Sequence, residues 1–552
     1  MLNLKEKTQK AKDTKGITLV ALVITIIILL ILATISIQAL TNTGLFEKAN
    51  EAKEKTQNAA ENQAKTLNEY EDALNQYVSG NVKTLQADGS WNVAKKVNSP
   101  QLTQGMTGIY WDKDGNETEV TVDNQDNWYD YDKQEWANAV TKDSDGNITG
   151  YWVWIPRYAY KIESGRYTST AGKISVKFLQ GTSDKDENNS TIPKECKEVI
   201  GGTMSEYVVH PSFTDGSANG KNNNFMNGEW DKEISGYWVA KYIAGFQECT
   251  QTVSSNGTII EPKTNLANVK YSDKNYTSYN SSYITNALSQ NLSSNPGISY
   301  PVFKPLTYVY NLISTNDSYT ISQEIAKATS FYGLNSNKTD SHQMKNSEWG
   351  AVAYLTQSDK GRNGIEVIVN SQNLSNLSSK YIYAVTGYTH KMANEVGASS
   401  TNNMSGIFDL NGCAWERTTA YISNGNANIN KFGKIYASAI TNVNGYQTLS
   451  TKYVTVYPYN NSSDDKENNY NIYLEKKSTK YGFGDAILET STKGTGSTGW
   501  NSDYSQYAYY NEPFFERGGS YGSDPVSGTF TFTHIIGEAG SSSSFRSVLI
   551  AK

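Results

Sequence analysis

Apolar residues run without a charged side chain from Ile17 to Leu40. At about 1.5 Å rise per helical residue this run is roughly 36 Å long, enough to cross a hydrocarbon core of roughly 30 Å, so it predicts a transmembrane helix over 17–40. The pattern then changes. Leu45, Ala49, Ala52, Ala59, Ala60, Leu67, Tyr70, Ala73, Leu74 and Tyr77 recur at helix-like intervals among Glu, Lys, Gln and Asn, and no proline occurs before Pro100. This periodicity predicts an amphipathic helix to about Val78 that continues the first one, with a hinge at Thr41-Asn42-Thr43-Gly44. Further on, Gly150-Tyr-Trp-Val-Trp-Ile-Pro-Arg-Tyr158 and Gly236-Tyr-Trp-Val-Ala-Lys-Tyr242 carry bulky residues on both faces, as strands buried from both sides do. Their similarity marks a partial internal repeat. The aromatic cluster from Trp128 to Trp136 and a turn at Asp143-Ser-Asp-Gly146 precede the first of them.

Charge adds direction to the apolar run. Lys5, Lys7, Lys10, Lys12 and Lys15 precede it and no lysine lies close behind it, so the positive-inside bias places Met1 in the cytoplasm and the C-terminal part outside. A secretory signal peptide has its apolar region between its charges and its cleavage site, whereas here the order is basic leader, Gly16, apolar run. The whole chain of 552 residues carries a net charge of −6 with scattered lysines, which leaves no basic face for nucleic acid. With 39 tyrosines and 43 glycines against 11 prolines, the remainder reads as a folded, loop-rich exported head. Three cysteines, Cys196, Cys249 and Cys413, are too few for a disulfide framework and too far apart in sequence for a metal clip.

At Lys15-Gly16-Ile17-Thr18-Leu19-Val20 the chain resembles a type IV prepilin or pseudopilin. The resemblance implies cleavage after Gly16 by a prepilin peptidase, an N-methylated Ile17 and association with other pilins or secretion-system subunits. The family usually carries a glutamate at the fifth mature position, where this chain has Ala21. That substitution is easier to leave in lipid, but it removes a partner used in polymerisation, so a minor pilin or an anchored pilin-like protein is expected rather than a filament builder.

A second resemblance covers about residues 236 to 552. Gly236-Tyr-Trp-Val, Asn346-Ser-Glu-Trp349, Gly406-Ile-Phe-Asp-Leu-Asn-Gly-Cys-Ala-Trp-Glu416, Arg517-Gly-Gly-Ser-Tyr521 and Ser544-Phe-Arg546 follow in the order seen in the formylglycine-generating-enzyme (sulfatase-modifying-factor) family, a version of the C-type-lectin-like fold. Each block also has a local reading: Asn346 caps a helix with Glu348 in its first turn, and Asn411-Gly412 is a turn. The expected fold is therefore α+β, a long N-terminal helix followed by an irregular C-type-lectin-like head. The expected segments are a leader (1–16), a pilin-type helix (17–80), an N-terminal elaboration of the head (81–230) and the lectin-like domain (231–552).

The resemblance does not carry the oxidase chemistry. Family oxidases hold copper on cysteines after the Arg-Gly-Gly-Ser strand, and no cysteine follows Ser520. His210, His342, His390 and His534 are widely spaced singles, so no iron site is expected either. The family's loop before Trp-Glu often wraps Ca²⁺, which implies Asp409, the carbonyls of Gly412 and Ala414, and Glu416 as ligands. The alternative is that Glu416 pairs with an arginine such as Arg517 in a structural salt bridge. Near the C-terminus, Trp500, Tyr504, Tyr507, Tyr509, Tyr510 and Tyr521 stand among Ser, Asn and Gly, a mixture suited to binding an extracellular glycan or protein ligand. The functional expectation is a membrane-anchored, surface-displayed recognition protein; the alternatives are a membrane-anchored modifying enzyme acting on an exported substrate and a structural pilus subunit without a ligand.

Overall fold

The computed structural model describes residues 19–42, 55–56, 91–112, 115–194, 199–200, 203–215, 230–253, 259–262, 270–271, 274–275, 300–311, 313–370, 384–387, 396–435, 441–443, 446–448, 452–477, 484–523, 525–540 and 542–552. The chain is α+β and divides into two units, Met1–Lys83 and Thr84–Lys552. In the first unit, α1 (Leu19–Asn42) is a 24-residue helix without an acidic or basic side chain, and Val23 to Leu32 along it are exposed. Its side chains are described over 23–34 only. Among the described residues no helix is long and apolar enough to cross a membrane, and the span expected over 17–40 begins two residues before them. Gly16, Ile17 and, apart from residues 55–56, the amphipathic helix expected over 45–78 lie outside the described residues.

The second unit is built on an antiparallel sheet of seven strands. These are β1 (Met106–Trp111), β2 (Glu117–Glu119), β3 (Asn138–Lys142), β4 (Ile148–Pro156), β8 (Gly236–Ala240), β9 (Thr339–Gln343) and β15 (Ser547–Ala551), in the spatial order β9-β15-β8-β4-β3-β1-β2. A three-stranded sheet, β5 (Tyr158–Ile162), β6 (Ile174–Phe178) and β7 (Val208–Val209), continues from the end of β4. A third sheet of five strands centres on β10 (Trp415–Ile422). It adds β11 (Thr455–Tyr457), β12 (Phe514–Arg517), β13 (Phe532–Ile535) and β14 (Ser543–Phe545).

The two repeated sequence pieces are β4 and β8, and they pair with each other in antiparallel fashion, Trp154 opposite Trp238 and Val153 opposite Val239. Both faces are filled: every residue of β8 is buried, and the Trp154 and Trp238 rings lie 5.3 Å apart between centroids. Such aromatic contacts add roughly 0.5–1.5 kcal/mol each beyond their area. Segment 81–230, which reads from sequence as an elaboration of the head, supplies β1 to β4 and so more than half of the central sheet's strands. The turn expected at Asp143–Gly146 joins β3 to β4, with Gly146 N–H donating to Asp143 O at 3.0 Å.

Helix α2 (Thr315–Glu324) packs on β9, and helix α3 (Asn346–Gln357) is buried along its whole length. Lys345, rather than Asn346, is the N-cap of α3, and Glu348 closes the first turn by accepting from Lys345 N–H at 2.9 Å. Asn346 is used sideways instead: its amide donates to Tyr457 Oη and accepts from Thr418 Oγ1. Gly350 allows the loop at Gly484 to approach, since a Cβ there would stand 1.9 Å from Gly484 O.

Two buried histidines flank this core with opposite electrostatics. His342 Nε2 lies 3.0 Å from Glu348 Oε1, and its other nitrogen faces Asp340 at 3.5 Å. Lys345, 3.4 Å from Glu348, sits 3.6 Å from the centroid of the Trp230 ring. Burial pulls the His342 pKa down, but Glu348 and Asp340 outweigh burial and raise it overall. His210, by contrast, packs against Tyr158, Tyr160, Phe213 and Tyr354, and burial lowers its pKa to about 3.

The signs follow from linkage. His342 contributes stability that is full below the ordinary histidine value of about 6.5 and is lost as pH rises through its raised native value. His210 must stay neutral, so its site loses stability as pH falls from about 6.5 toward 3. Urea unfolding at a series of pH values should show a midpoint that declines on both sides. His342→Gln should flatten the alkaline limb and leave the acid limb in place; identical profiles for the variant and wild type would refute this assignment.

Candidate functional site: the tyrosine hairpin and the Arg546 knot

The tyrosine-rich loop is annealed to the five-stranded sheet. Phe532 N–H donates to Tyr504 O (3.0 Å) and Gln506 N–H to Phe532 O (2.8 Å), so 504–506 runs beside the start of β13. The chain then turns back through Tyr509 and Glu512, whose backbones exchange hydrogen bonds of 3.2 and 3.0 Å and leave Tyr510-Asn511 as a two-residue tip. Asparagines brace it from behind. Asn424 and Asn428 donate to the Tyr510 and Asn511 carbonyls, and Asn469 of α4 (Lys466–Lys477) donates to Ala508 O.

The cover provided by α4 and by Tyr457 divides the expected ligand-binding aromatics. Tyr507 turns inward and is fully buried among Tyr457, Tyr470, Tyr473 and Phe515. Trp500 is also a core residue: its ring meets Phe530 at 5.0 Å and its Nε1 donates to Gly165 O. Tyr521 is half-buried against the small cluster of Ile243, Val309, Ala384, Cys413 and Ala414. The ligand-facing role read from sequence for Trp500 and Tyr507 is therefore corrected, because neither ring reaches solvent. Tyr504 and Tyr509 are half-buried, and Tyr510 is 55% exposed. Among the described residues, Tyr510 is the one aromatic in the set of exposed large apolar side chains.

A polar network that sequence reading missed supports the hairpin. His534, on β13, places one ring nitrogen 2.6 Å from Glu512 Oε2 and the other 2.7 Å from Gln506 Oε1. Lys466 donates to the same Gln506 oxygen (2.8 Å), and Tyr509 Oη donates to Glu512 Oε1 (3.2 Å) while its ring meets His534 edge-on at 4.8 Å. The hydrogen bond to His534 is the largest influence on Glu512 and holds its pKa below the ordinary carboxylate range. Burial, followed by the charge of Glu512, raises the Tyr504 and Tyr509 phenols, so they remain protonated donors at neutral pH. The result is a rigid surface of phenols, amides and paired charges around an exposed ring, suited to recognition. His534 reads as an isolated histidine in sequence, where its partners are 22 and 28 residues away.

The expected calcium loop has a different occupant. Both oxygens of Glu416 are taken by Arg546, Oε2 from Nε at 2.9 Å and Oε1 from Nη2 at 2.6 Å. The same guanidinium donates to the carbonyls of Ala240 (2.7 Å) and Phe408 (2.8 Å). Asp409, in a left-handed conformation at φ 62°, accepts from Gly387 N–H and Asn370 Nδ2 at 2.8 Å and from Ile243 N–H at 3.4 Å. Burial raises the pKa of Asp409 and of Glu416, and Arg546 opposes both shifts.

These carboxylates are committed to N–H donors, and a buried cation already stands on Glu416, so Asp409, Gly412, Ala414 and Glu416 do not fit a Ca²⁺ site. Among the described residues no group of three or more His, Cys, Asp or Glu is arranged to hold a metal. Of the two alternatives read from sequence, the geometry gives the salt bridge, with Arg546 in place of Arg517. Arg517 instead donates to the carbonyls of Asp485 and Ala486, and burial lowers its pKa to about 10. Cys413, at the centre of this loop, is a buried free thiol whose pKa is raised by burial.

No family model and no curated protein matches the chain. Its own geometry supplies a direct check of the knot. Arg546→Leu leaves Glu416 buried and unpaired and should cost about 3–5 kcal/mol in urea unfolding, with Arg546→Lys recovering only part of the loss. Chelation by EDTA should leave the thermal midpoint of the wild type unchanged. A chelator-dependent midpoint, or an Arg546→Leu protein as stable as wild type, would refute the assignment.

Proposed function

We propose that the chain is a surface-displayed, pilin-like recognition protein. A prepilin peptidase cuts after Gly16, the apolar run beginning at Ile17 holds the protein in the membrane, and the head stands outside the cell with a C-type-lectin-like architecture. The absence of charge in α1 and the row of exposed apolar side chains along it support the anchor. Ala21 favours a minor pilin or an anchored subunit beside other pilins or secretion-system components. The head binds an extracellular glycan or protein through the face of Tyr504, Tyr509 and Tyr510.

The observation that carries this reading is the Tyr510 tip. A large exposed ring is held on a two-residue turn whose stem is fixed by Glu512, His534, Gln506 and Lys466. Pre-ordering of this kind lowers the entropy lost on binding. No observation favours the enzymatic alternative over this one.

In a glycan and cell-surface binding screen on the full chain, Tyr510→Ala should weaken the ligand found by about tenfold or more, on the order of 1.4 kcal/mol. Binding equal to wild type would sink the tyrosine face. Processing is tested separately: replacing Gly16 with leucine should abolish the mature N-terminus at Ile17, as read by N-terminal sequencing. An unchanged mature N-terminus in that variant would contradict prepilin-type cleavage.

A further inference from the structure

Lys241, immediately after β8, has a fully buried side chain. Its Nζ donates to Asn138 Oδ1 at 2.8 Å and to Met404 O, and lies 4.1 Å from the centroid of the Trp111 ring and 5.8 Å from that of Phe408. Lys345, the other fully buried lysine described above, has Glu348 at 3.4 Å to balance it. Among the described residues Lys241 forms no ion pair, and the carboxylate whose charge acts on it is that of Glu117. Taking an ammonium out of water without a contacting counter-charge is unfavourable, so burial drives this amine well below its ordinary pKa. A neutral amine has two N–H bonds, which match the two oxygen acceptors, and keeps a free lone pair.

The acceptor is equally fixed. Asn138 is 1% exposed, and its Nδ2 donates to Trp136 O (2.9 Å) and Ser405 O (2.7 Å), so Oδ1 is the atom turned to the lysine. The carbonyl carbon lies about 1.23 Å from that oxygen, which puts Nζ at most about 4 Å from Cγ. Near-attack geometry is about 3–3.5 Å, a small side-chain movement away.

We propose that Lys241 and Asn138 join in an intramolecular isopeptide bond. The Nζ lone pair attacks Cγ and an Nζ–Cγ bond forms. The Cγ–Nδ2 bond breaks, and Nδ2 leaves as ammonia with a proton shed by Nζ. The atoms balance without an oxidant, a reductant or a co-reactant. The bond links two residues 103 apart in sequence. It spans β4, which lies between β3 and β8, and so clamps the centre of the main sheet. A buried amine without a contacting counter-charge becomes an amide in the process.

The test is peptide mapping by mass spectrometry on the full-length protein, purified folded and then denatured and digested. The peptides carrying Lys241 and Asn138 should appear as one branched species, lighter than the sum of the two separate peptides by the mass of one ammonia. Lys241→Arg and Asn138→Ala should each abolish that species. Wild-type protein that is folded by circular dichroism and yields the two peptides separately, both unmodified, would overturn the proposal, whether or not the variants fold.

Discussion

The guanidinium of Arg546 is the interaction on which the head depends. It sits between β14, in the five-stranded sheet, and β15, in the seven-stranded one, and bonds to the end of β8, to the loop carbonyl of Phe408 and to Glu416 on β10. A planar fork of fixed donors can satisfy a carboxylate and two carbonyls at once, which a lysine or a hydrated ion would do with less directional control. Its backbone is tied in as well, since Arg546 O accepts from Met344 N–H and Met344 O from Thr419 N–H. The two sheets thus meet around one buried cation, and the turns at Asp409 and Cys413, both at positive φ, are the bends that bring Glu416 to it.

Local pattern was the most legible part of the sequence. The double-faced apolar character of β4 and β8 is visible in their residues, and so are the turn at Asp143–Gly146 and the helix begun near Glu348. Their mutual pairing was not visible, because an internal similarity says nothing about which edges meet. The partner of Glu416 was illegible for the same reason: Arg517 is its backbone neighbour across the β10–β12 ladder, yet a neighbour's side chain points where its own packing directs it. Arg546, 130 residues away, closes the pair.

The aromatic loop shows a second limit. Which of these closely spaced tyrosines is covered depends on α4 and on strands elsewhere in the chain. Tyr507 and Tyr510 are chemically equivalent in sequence and opposite in fate. The same dependence hid His534, whose two ring nitrogens acquire meaning only when β13 lies beside the loop. Composition identified a tyrosine-rich region, and topology decided which of its rings are buried and which are exposed.

The position of β15 has a consequence for biogenesis. Residues Ser547–Ala551 lie between β8 and β9 in the interior of the main sheet, so the strands begun at Met106 stay incomplete until the chain has been made through Ala551. Pairing over so long a separation is slow and cannot precede synthesis of the late strand. In a head assembled in this order, Ser547–Ala551 acts as the keystone that joins β8 to β9.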